Sequence, residues 1–267
     1  MIIFKSINKL NKEVNFKADI GFVPTMGALH QGHMSLIKKS QKKCKKTLVS
    51  IFVNPSQFNN KVDYKKYPKN IQKDLDLLKN LKVDYVLIPS IKDVYRNKSK
   101  KKFKISKSNK ILCAKYRPGH FEGVLNVIDQ FIKKLKVNKI FLGEKDYQQY
   151  ILIKEFLKKK SNVKTILCKT IRMKNGLAYS SRNRLLNQKS IKESALLVSK
   201  IKKIFNIIKR NLSNRTTIKD FINENKKFNI EYLELRNKND LSKKINKKNV
   251  KIFFAFYIQG IRLIDNF

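Results

Sequence analysis

The chain has 267 residues, 42% of them hydrophobic, which is enough to bury the core of one large domain or two modest ones. It has no apolar run that could span a membrane, no secretory signal and no Cys-x-x-Cys pair, so we expect a cytoplasmic protein without a membrane partner, a disulfide framework or a cysteine zinc site. The formal charge of +43 arises from 62 Lys and Arg against 19 Asp and Glu, but the excess is mostly lysine and is spread along the chain, so no specific nucleic-acid partner is expected.

Short β-rich apolar runs alternate with helical patterns from the start to about residue 170. The predicted elements are strand 20–24, helix 34–43, strand 47–53, helix 71–81, strand 85–88, helix 122–135, strand 139–142, helix 146–159 and strand 163–167. This alternation predicts βαβ units and an α/β fold, a Rossmann-like parallel sheet with helices on both faces. In such a sheet, ligands bind in the loops that follow the carboxyl ends of the strands.

The pattern changes after Ser181. Helices are predicted at 188–209 and 217–223, followed by strands at 230–235 and 251–258. We therefore expect a Rossmann-like domain of residues 1–172 and a small α+β domain of residues 173–267 that acts as a lid.

The strongest chemical signal is the segment Phe22–His33, which follows the first predicted strand and opens the first helix. Gly27 and Gly32 permit a tight turn and a close approach of the backbone to a ligand. His30 and His33 fall on the same side of the helix start, where free N–H groups and the helix dipole attract phosphate. Two imidazoles placed there can donate hydrogen bonds to a phosphate as charge develops in a transition state.

Other interpretations of this segment have less support. The spacing of its two glycines resembles a Walker loop, but His33 and Met34 stand where that loop needs Lys and Ser or Thr. A metal site made of His30, His33 and the distant His120 lacks an acidic cluster or a cysteine pair to complete it. A purely structural histidine pair would not account for the proline, threonine and glycines around it. We expect no protein metal site here.

The His-x-Gly-His at the strand end resembles the signature of the class I aminoacyl-tRNA synthetase and nucleotidyltransferase superfamily. The longer string Pro24–His33 resembles the pantothenate synthetase (pantoate–β-alanine ligase) family much more specifically. The resemblance continues in order and spacing over nearly the whole chain, in Val53–Phe58, Arg117–Val124, Leu142–Gln149, Gly176–Asn183 and Arg262–Asn266.

The resemblance implies an ATP-dependent ligase of pantothenate biosynthesis. The carboxylate of (R)-pantoate attacks the α-phosphate of ATP, pyrophosphate leaves, and the amine of β-alanine then displaces AMP from pantoyl adenylate to give pantothenate. Mg²⁺ is implied as the companion of ATP, held chiefly by phosphate oxygens. The family is dimeric and cytosolic, so a homodimer is implied as well.

The resemblance also assigns roles by motif. His33 is the residue that the family treats as proton donor, and His30 helps to hold the phosphates. Gln57 and Gln149 are expected to hold pantoate, and with it the β-alanine reaction partner, because a carboxamide both donates and accepts hydrogen bonds. The ATP-binding residues implied by the first motif are Met26, Gly27, Ala28, Leu29, His30, Gln31, Gly32 and His33.

Two later motifs complete the implied ATP site. Lys145, at a strand end, is expected to bind phosphate, and Asp146 to accept hydrogen bonds from the ribose. Ile171 is expected to contact the adenine, and Arg182 to bind the triphosphate with a forked guanidinium. The residues implied are Gly143, Glu144, Lys145, Asp146, Ile171, Tyr179, Ser180, Ser181 and Arg182, and the catalytic set is His30, His33, Lys145, Ser180 and Arg182.

Gln31 and Tyr179 depart from the residues usual in the family, but both flank the catalytic groups. One rival is a nucleotidyltransferase of the same superfamily, which should lack the pair Gln57 and Gln149 together with Arg117–Val124. The other is a basic nucleic-acid-binding protein, which predicts steeply salt-dependent DNA or RNA binding and no small-molecule product.

Overall fold

Six parallel strands form the main sheet of the computed structural model, which describes residues 1–59, 61–95, 103–212 and 216–267. The strands are β1 (Ile2–Phe4), β2 (Ile20–Thr25), β3 (Lys46–Ile51), β4 (Tyr85–Leu87), β5 (Lys139–Gly143) and β6 (Lys164–Cys168). Their order across the sheet is β1-β4-β3-β2-β5-β6, and each neighbouring pair is parallel. This confirms the predicted parallel α/β architecture.

Helices cover both faces of this sheet. The helices of this part of the chain are α1 (Ile7–Glu13), α2 (Gln31–Lys43), α3 (Lys61–Lys66), α4 (Ile71–Asn80), α5 (Ile91–Tyr95), α6 (Cys113–Tyr116), α7 (His120–Lys134) and α8 (Tyr147–Lys158). Successive residues of a strand point to opposite faces, so Phe22 packs against Phe131 of α7 on one side, while Val23 joins Leu36 and Ile37 of α2 on the other. The central strand therefore reads as a continuous apolar run.

The C-terminal part contains the helices α9 (Gln188–Arg210) and α10 (Thr216–Glu224) and an antiparallel sheet of β7 (Ile230–Asn237), β8 (Val250–Ile258) and β9 (Ile261–Asn266). This confirms the small α+β unit expected from the sequence.

The central strand of the small sheet, β8, packs against apolar residues on both of its faces. Phe254 packs with the apolar side of α9, whereas its neighbour Phe253 belongs to the apolar core of the parallel sheet. Both faces of β8 are therefore covered, which holds the end of β9 against the large sheet. The boundary after residue 172 stays a prediction.

Several elements differ from the sequence prediction in extent. Helix α2 begins three residues earlier than predicted, because the His30 side chain caps it. The stretch Glu144–Asp146 is a 3₁₀ turn that precedes α8. The unpredicted β1 and α1 have only 3 and 7 residues, too few for hydrophobic periodicity to be read. Within the described ranges, no helix has the length and apolar character that a membrane span requires.

Candidate active site

A cavity of 240 Å³ lies where the strand order of the parallel sheet reverses, at the carboxyl ends of β2 and β5. Such switch points are the usual ligand sites of open α/β sheets. One part of its wall is apolar and includes Phe52, Val124 and Phe131. The remainder carries imidazole, ammonium, guanidinium, hydroxyl and amide groups. The cavity therefore has an apolar wall on one part and a cationic, hydrogen-bonding wall on the other.

The two histidines that follow β2 lie together at the start of α2. Their ring centroids are 4.0 Å apart. Nδ1 of His30 accepts the Gly32 N–H at 3.1 Å, and Nδ1 of His33 accepts the His30 N–H at 3.4 Å. Because both Nδ1 atoms accept backbone donors, each neutral ring carries its proton on Nε2. Both rings line the cavity as neutral donors.

The neutral state of these rings follows from their surroundings. Burial, together with His33 and the positive charges of Lys145 and Arg184, lowers the pKa of His30 to about 2. Burial lowers the pKa of His33 to about 4, although the Asp146 carboxylate opposes this shift. A bound polyphosphate would raise both pKa values, because an anion favours the charged ring.

The third histidine orients an arginine. Nδ1 of His120 donates to the carbonyl of Gln57 at 2.7 Å, and its Nε2 accepts from Arg117 at 2.9 Å. Burial, and then the charge of Arg117, lowers the pKa of His120 to about 3. The neutral ring therefore holds the Arg117 guanidinium at the edge of the cavity.

The buried His120 and the partly buried His30 and His33 predict a loss of stability in mild acid. Their folded pKa values lie below the unfolded value of 6.5, so the unfolded chain binds protons more tightly. The stability is fully present above pH 6.5 and is lost as the pH falls towards the folded values. Between about pH 7.5 and about pH 5.5, we expect urea denaturation to show a loss of about 1 kcal/mol for each histidine. A His120→Gln variant should lose about a third of this dependence, and a flat profile would contradict the assignment.

The loop between β2 and α2 is held by a residue distant in sequence. The Asp74 carboxylate, on α4, accepts the N–H groups of Ala28 and Leu29, each at 2.8 Å. It is only 2% exposed. Ala28 has a positive φ of 51° and Gly27 one of 80°, and a Cβ on Gly27 would lie 2.9 Å from an Asp74 oxygen. This carboxylate therefore fixes the turn that delivers the histidines.

The segment 172–184, which begins with an antiparallel bridge between Arg172 and Ala178, packs against the same loop between β2 and α2. Ser181 Oγ donates to the Ala28 carbonyl at 3.1 Å, and Arg184 donates to the Leu29 carbonyl at 2.7 Å. The ring of Tyr179 is stacked beside that of His30, with centroids 6.3 Å apart. The two predicted phosphate-facing segments are thus packed against each other.

Charged and polar groups are distributed around the cavity. Lys145 Nζ lies 3.6 Å from an Asp146 oxygen, and Arg182 pairs with Asp63 of α3 at 3.1 Å. Gln57 is buried, and its Oε1 accepts from the Asn54 amide at 3.2 Å. The hydrogen bonds of Arg182 and Gln57 fix these two side chains before any ligand arrives.

The structure brings most of the predicted residues to one cavity but leaves some outside its lining. Glu144 pairs instead with Lys251 at 2.9 Å, and Gln31 is exposed at the helix start. The functional role of every residue in both groups stays a prediction. The residues that line the cavity are Met26, His30, Gly32, His33, Gln57, Gly143, Lys145, Asp146, Gln149, Ile171, Tyr179, Ser180, Ser181 and Arg182, and those that do not are Gly27, Ala28, Leu29, Gln31 and Glu144.

Sequence reasoning missed some residues of the site. Asn54, Arg117 and His120 lie in motifs that were recognised, so their position in those motifs was an available signal. Asp74 looks like one of the polar positions of an amphipathic helix, and nothing local marks it. Within the described residues, no group of three or more His, Cys, Asp or Glu side chains is arranged to hold a metal ion.

Comparison with known proteins gives consistent matches over the full length. A family model described as pantoate-beta-alanine ligase matches residues 2–267. The chain is 41% identical to the pantothenate synthetase of Leptospira interrogans serogroup Icterohaemorrhagiae serovar Lai and 43% identical to that of Francisella tularensis subsp. novicida. Each alignment covers 100% of this chain and 97% of the relative.

Solved structures match as well. The pantothenate synthetase from Thermus thermophilus superposes with a TM-score of 0.91 at 25% identity, covering 100% of this chain and 99% of that one. The pantoate-beta-alanine ligase from Francisella tularensis, complexed with beta-gamma ATP and beta-alanine, gives a TM-score of 0.83 at 40% identity, covering 100% and 97%.

Proposed function

This chain belongs to the pantoate–β-alanine ligase family, and on that premise we propose that it condenses (R)-pantoate with β-alanine through a pantoyl adenylate. In the first step, a carboxylate oxygen of pantoate bonds to the α-phosphorus of ATP as the bond to the β-phosphate oxygen breaks. Pyrophosphate leaves with the bonding electrons. In the second step, the β-alanine nitrogen bonds to the acyl carbon, AMP leaves, and the amine loses a proton.

The observation that carries this proposal is the pair of neutral imidazoles at the glycine-lined strand end. Their Nδ1 atoms are occupied by backbone N–H groups, so Nε2–H of His30 and of His33 is available to a phosphate. A helix N-terminus at the same place favours anions. As pyrophosphate departs, negative charge grows on its oxygens, and fixed donors stabilise that charge without reorganising.

Cations supply the remaining compensation for the negative charges that ATP and pantoate bring together. Lys145, Lys169, Arg117 and Arg182 line the cavity together with the histidines. Because the imidazoles are neutral, they do not add to the repulsion among these cations. The apolar wall near Val124 supports exclusion of water from the adenylate, which water would otherwise hydrolyse.

The residues that line the cavity are compatible with Mg²⁺ that enters bound to the nucleotide. Asp146 is the one carboxylate that lines the cavity among the described residues, and a single carboxylate beside phosphate oxygens is a common Mg²⁺ arrangement. Phosphate oxygens would chiefly hold the ion, with Asp146 as the carboxylate beside them, and the bound ion would neutralise phosphate charge.

Gln57 and Gln149 reach the cavity wall from two different elements, since Gln57 follows β3 and Gln149 belongs to α8. We assign pantoate, with its carboxylate and hydroxyls, to the space that these two carboxamides border. The ATP-contact roles of the glycine loop, residues 143–146 and residues 179–182 belong to the same proposal, as do a homodimeric assembly and a cytoplasmic location.

The test follows the oxygen atoms. With ATP, β-alanine and pantoate labelled with ¹⁸O in its carboxylate, we expect AMP and pantothenate in equal amounts, with one labelled oxygen per AMP phosphate. The label appears there because the attacking oxygen stays on phosphorus when the amine displaces AMP. Without β-alanine, pantoate should still support exchange of pyrophosphate into ATP. Formation of ADP, or of AMP free of label, would exclude the adenylate route.

A further inference from the structure

The last strand, β9, ends in two buried polar residues that contact segments of the large sheet. Asp265 is 5% exposed and Asn266 is 3% exposed. Both lie in the motif Arg262–Asn266, to which the proposed reaction gives no role. Each contacts a segment of the chain that also contributes residues to the cavity lining. The end of β9 therefore packs behind the cavity wall.

Asn266 holds the backbone from which the predicted phosphate ligand projects. Its Nδ2 donates to the carbonyl of Glu144 at 2.9 Å and to that of Lys145 at 3.0 Å. Within the described residues, its Oδ1 has no hydrogen-bond partner. The orientation of the amide is therefore set by these two carbonyls, because a flipped amide would place oxygen against oxygen.

Asp265 holds the second segment. Its carboxylate forms a two-pronged ion pair with Arg172, whose guanidinium also donates to the carbonyls of Gly176 at 3.1 Å and Asn266 at 3.2 Å. This arrangement closes the turn that leads into Tyr179–Arg182. The last two residues of β9 thus join the two segments that are expected to hold phosphate.

Lys145 depends on such support more than the arginines do. Lysine is a point charge on a flexible aliphatic stem, so the place where its backbone starts sets where its ammonium can reach. Its side chain is 18% exposed and its Nζ lies 3.6 Å from Asp146, a distance too long for a hydrogen bond that would fix it. A shift of the 3₁₀ turn Glu144–Asp146 would move the ammonium directly.

We propose that Asn266 is a positioning residue for adenylation: its amide fixes the Glu144–Lys145 backbone and thereby places the Lys145 ammonium against the nucleotide phosphates. The inference rests on the proposed function and adds a residue from the small domain to it. The contact between β9 and the large sheet is then required for Lys145 to reach the nucleotide phosphates.

The experiment is a double-mutant cycle in the full-length enzyme, with Asn266→Ala, Lys145→Ala and the two combined. Asn266→Ala should lower kcat/KM for ATP about a hundredfold, the usual scale for a misplacement near about 1 Å, while KM for β-alanine stays unchanged. In the Lys145→Ala background, the same substitution should change kcat/KM by less than about threefold, because the group it acts through is gone. Binding of a non-hydrolysable ATP analogue should follow the same pattern.

Asn237→Ala is the matched control, since Asn237 is a buried asparagine of the same small sheet that donates to the Lys244 carbonyl. It should cost similar stability in urea denaturation and leave kcat/KM for ATP unchanged. Asn266→Leu, which keeps the approximate side-chain volume but removes the donors, replaces Asn266→Ala if the latter does not fold.

An equal loss from Asn266→Ala in both backgrounds, or an equal loss from Asn237→Ala, would overturn the positioning role. So would normal kinetics in Asn266→Leu. These outcomes leave the proposed function standing, whereas failure of the unsubstituted enzyme to form AMP counts against the function itself.

Discussion

Replacement of His33 by alanine is expected to lower kcat by about a hundredfold to ten-thousandfold while the protein remains folded. Loss of one fixed donor to a developing oxyanion costs about 10²–10³ in rate, and loss of a proton donor about 10²–10⁴. The structural cost is small, because the hydrogen bond that His33 accepts from the His30 N–H is long, at 3.4 Å. Single-turnover measurement of pyrophosphate formation from ATP and pantoate, in the absence of β-alanine, isolates this step.

Lys38→Ala is the control for this substitution, since Lys38 is an exposed residue of the same helix α2 that does not line the cavity. It should retain turnover within about twofold, as surface substitutions usually do. Near-normal activity of the His33→Ala enzyme would remove His33 from the reaction. A parallel fall in the unfolding midpoint would show that the substitution acts through the fold instead.

Asp74→Ala is expected to be the most damaging substitution outside the cavity lining. It leaves the N–H groups of Ala28 and Leu29 buried without their acceptor, at about 1–3 kcal/mol each, so the free energy of unfolding should fall by about 2–6 kcal/mol. The histidine turn also loses its anchor, and kcat should fall about a hundredfold even in the folded fraction. Urea denaturation and steady-state kinetics measure the two effects separately.

Asp76→Ala provides the comparison on the same helix. Asp76 is exposed and accepts from the Gln72 side chain at 2.9 Å. Its removal should change stability by less than about 0.5 kcal/mol and leave turnover intact. If Asp74→Ala left stability and turnover equally unchanged, the Asp74 carboxylate would not be the group that orders the turn.

The spacing of apolar residues along the chain indicated the fold class, and the spacing of the two histidines indicated that they lie together after the first strand of the motif. The alternation of apolar runs with helical patterns predicts the parallel sheet, because periodicity is a local property that each segment carries by itself. The two imidazoles at the end of β2 follow in the same way, since their separation in sequence places them on one side of a helix start.

Only the tertiary structure decided what surrounds those histidines. Asp74 is 46 residues from Ala28 in sequence, and Asn266 is 121 residues from Lys145, so no local pattern could pair them. The protonation of His30 and His33 likewise depends on burial and on charges brought from other segments, which together lower the pKa of both rings. Contacts between distant residues, and the solvent exclusion that accompanies them, exist only after the chain has folded. For that reason the sequence indicated the chemical groups, and the fold determined their positions and charge states.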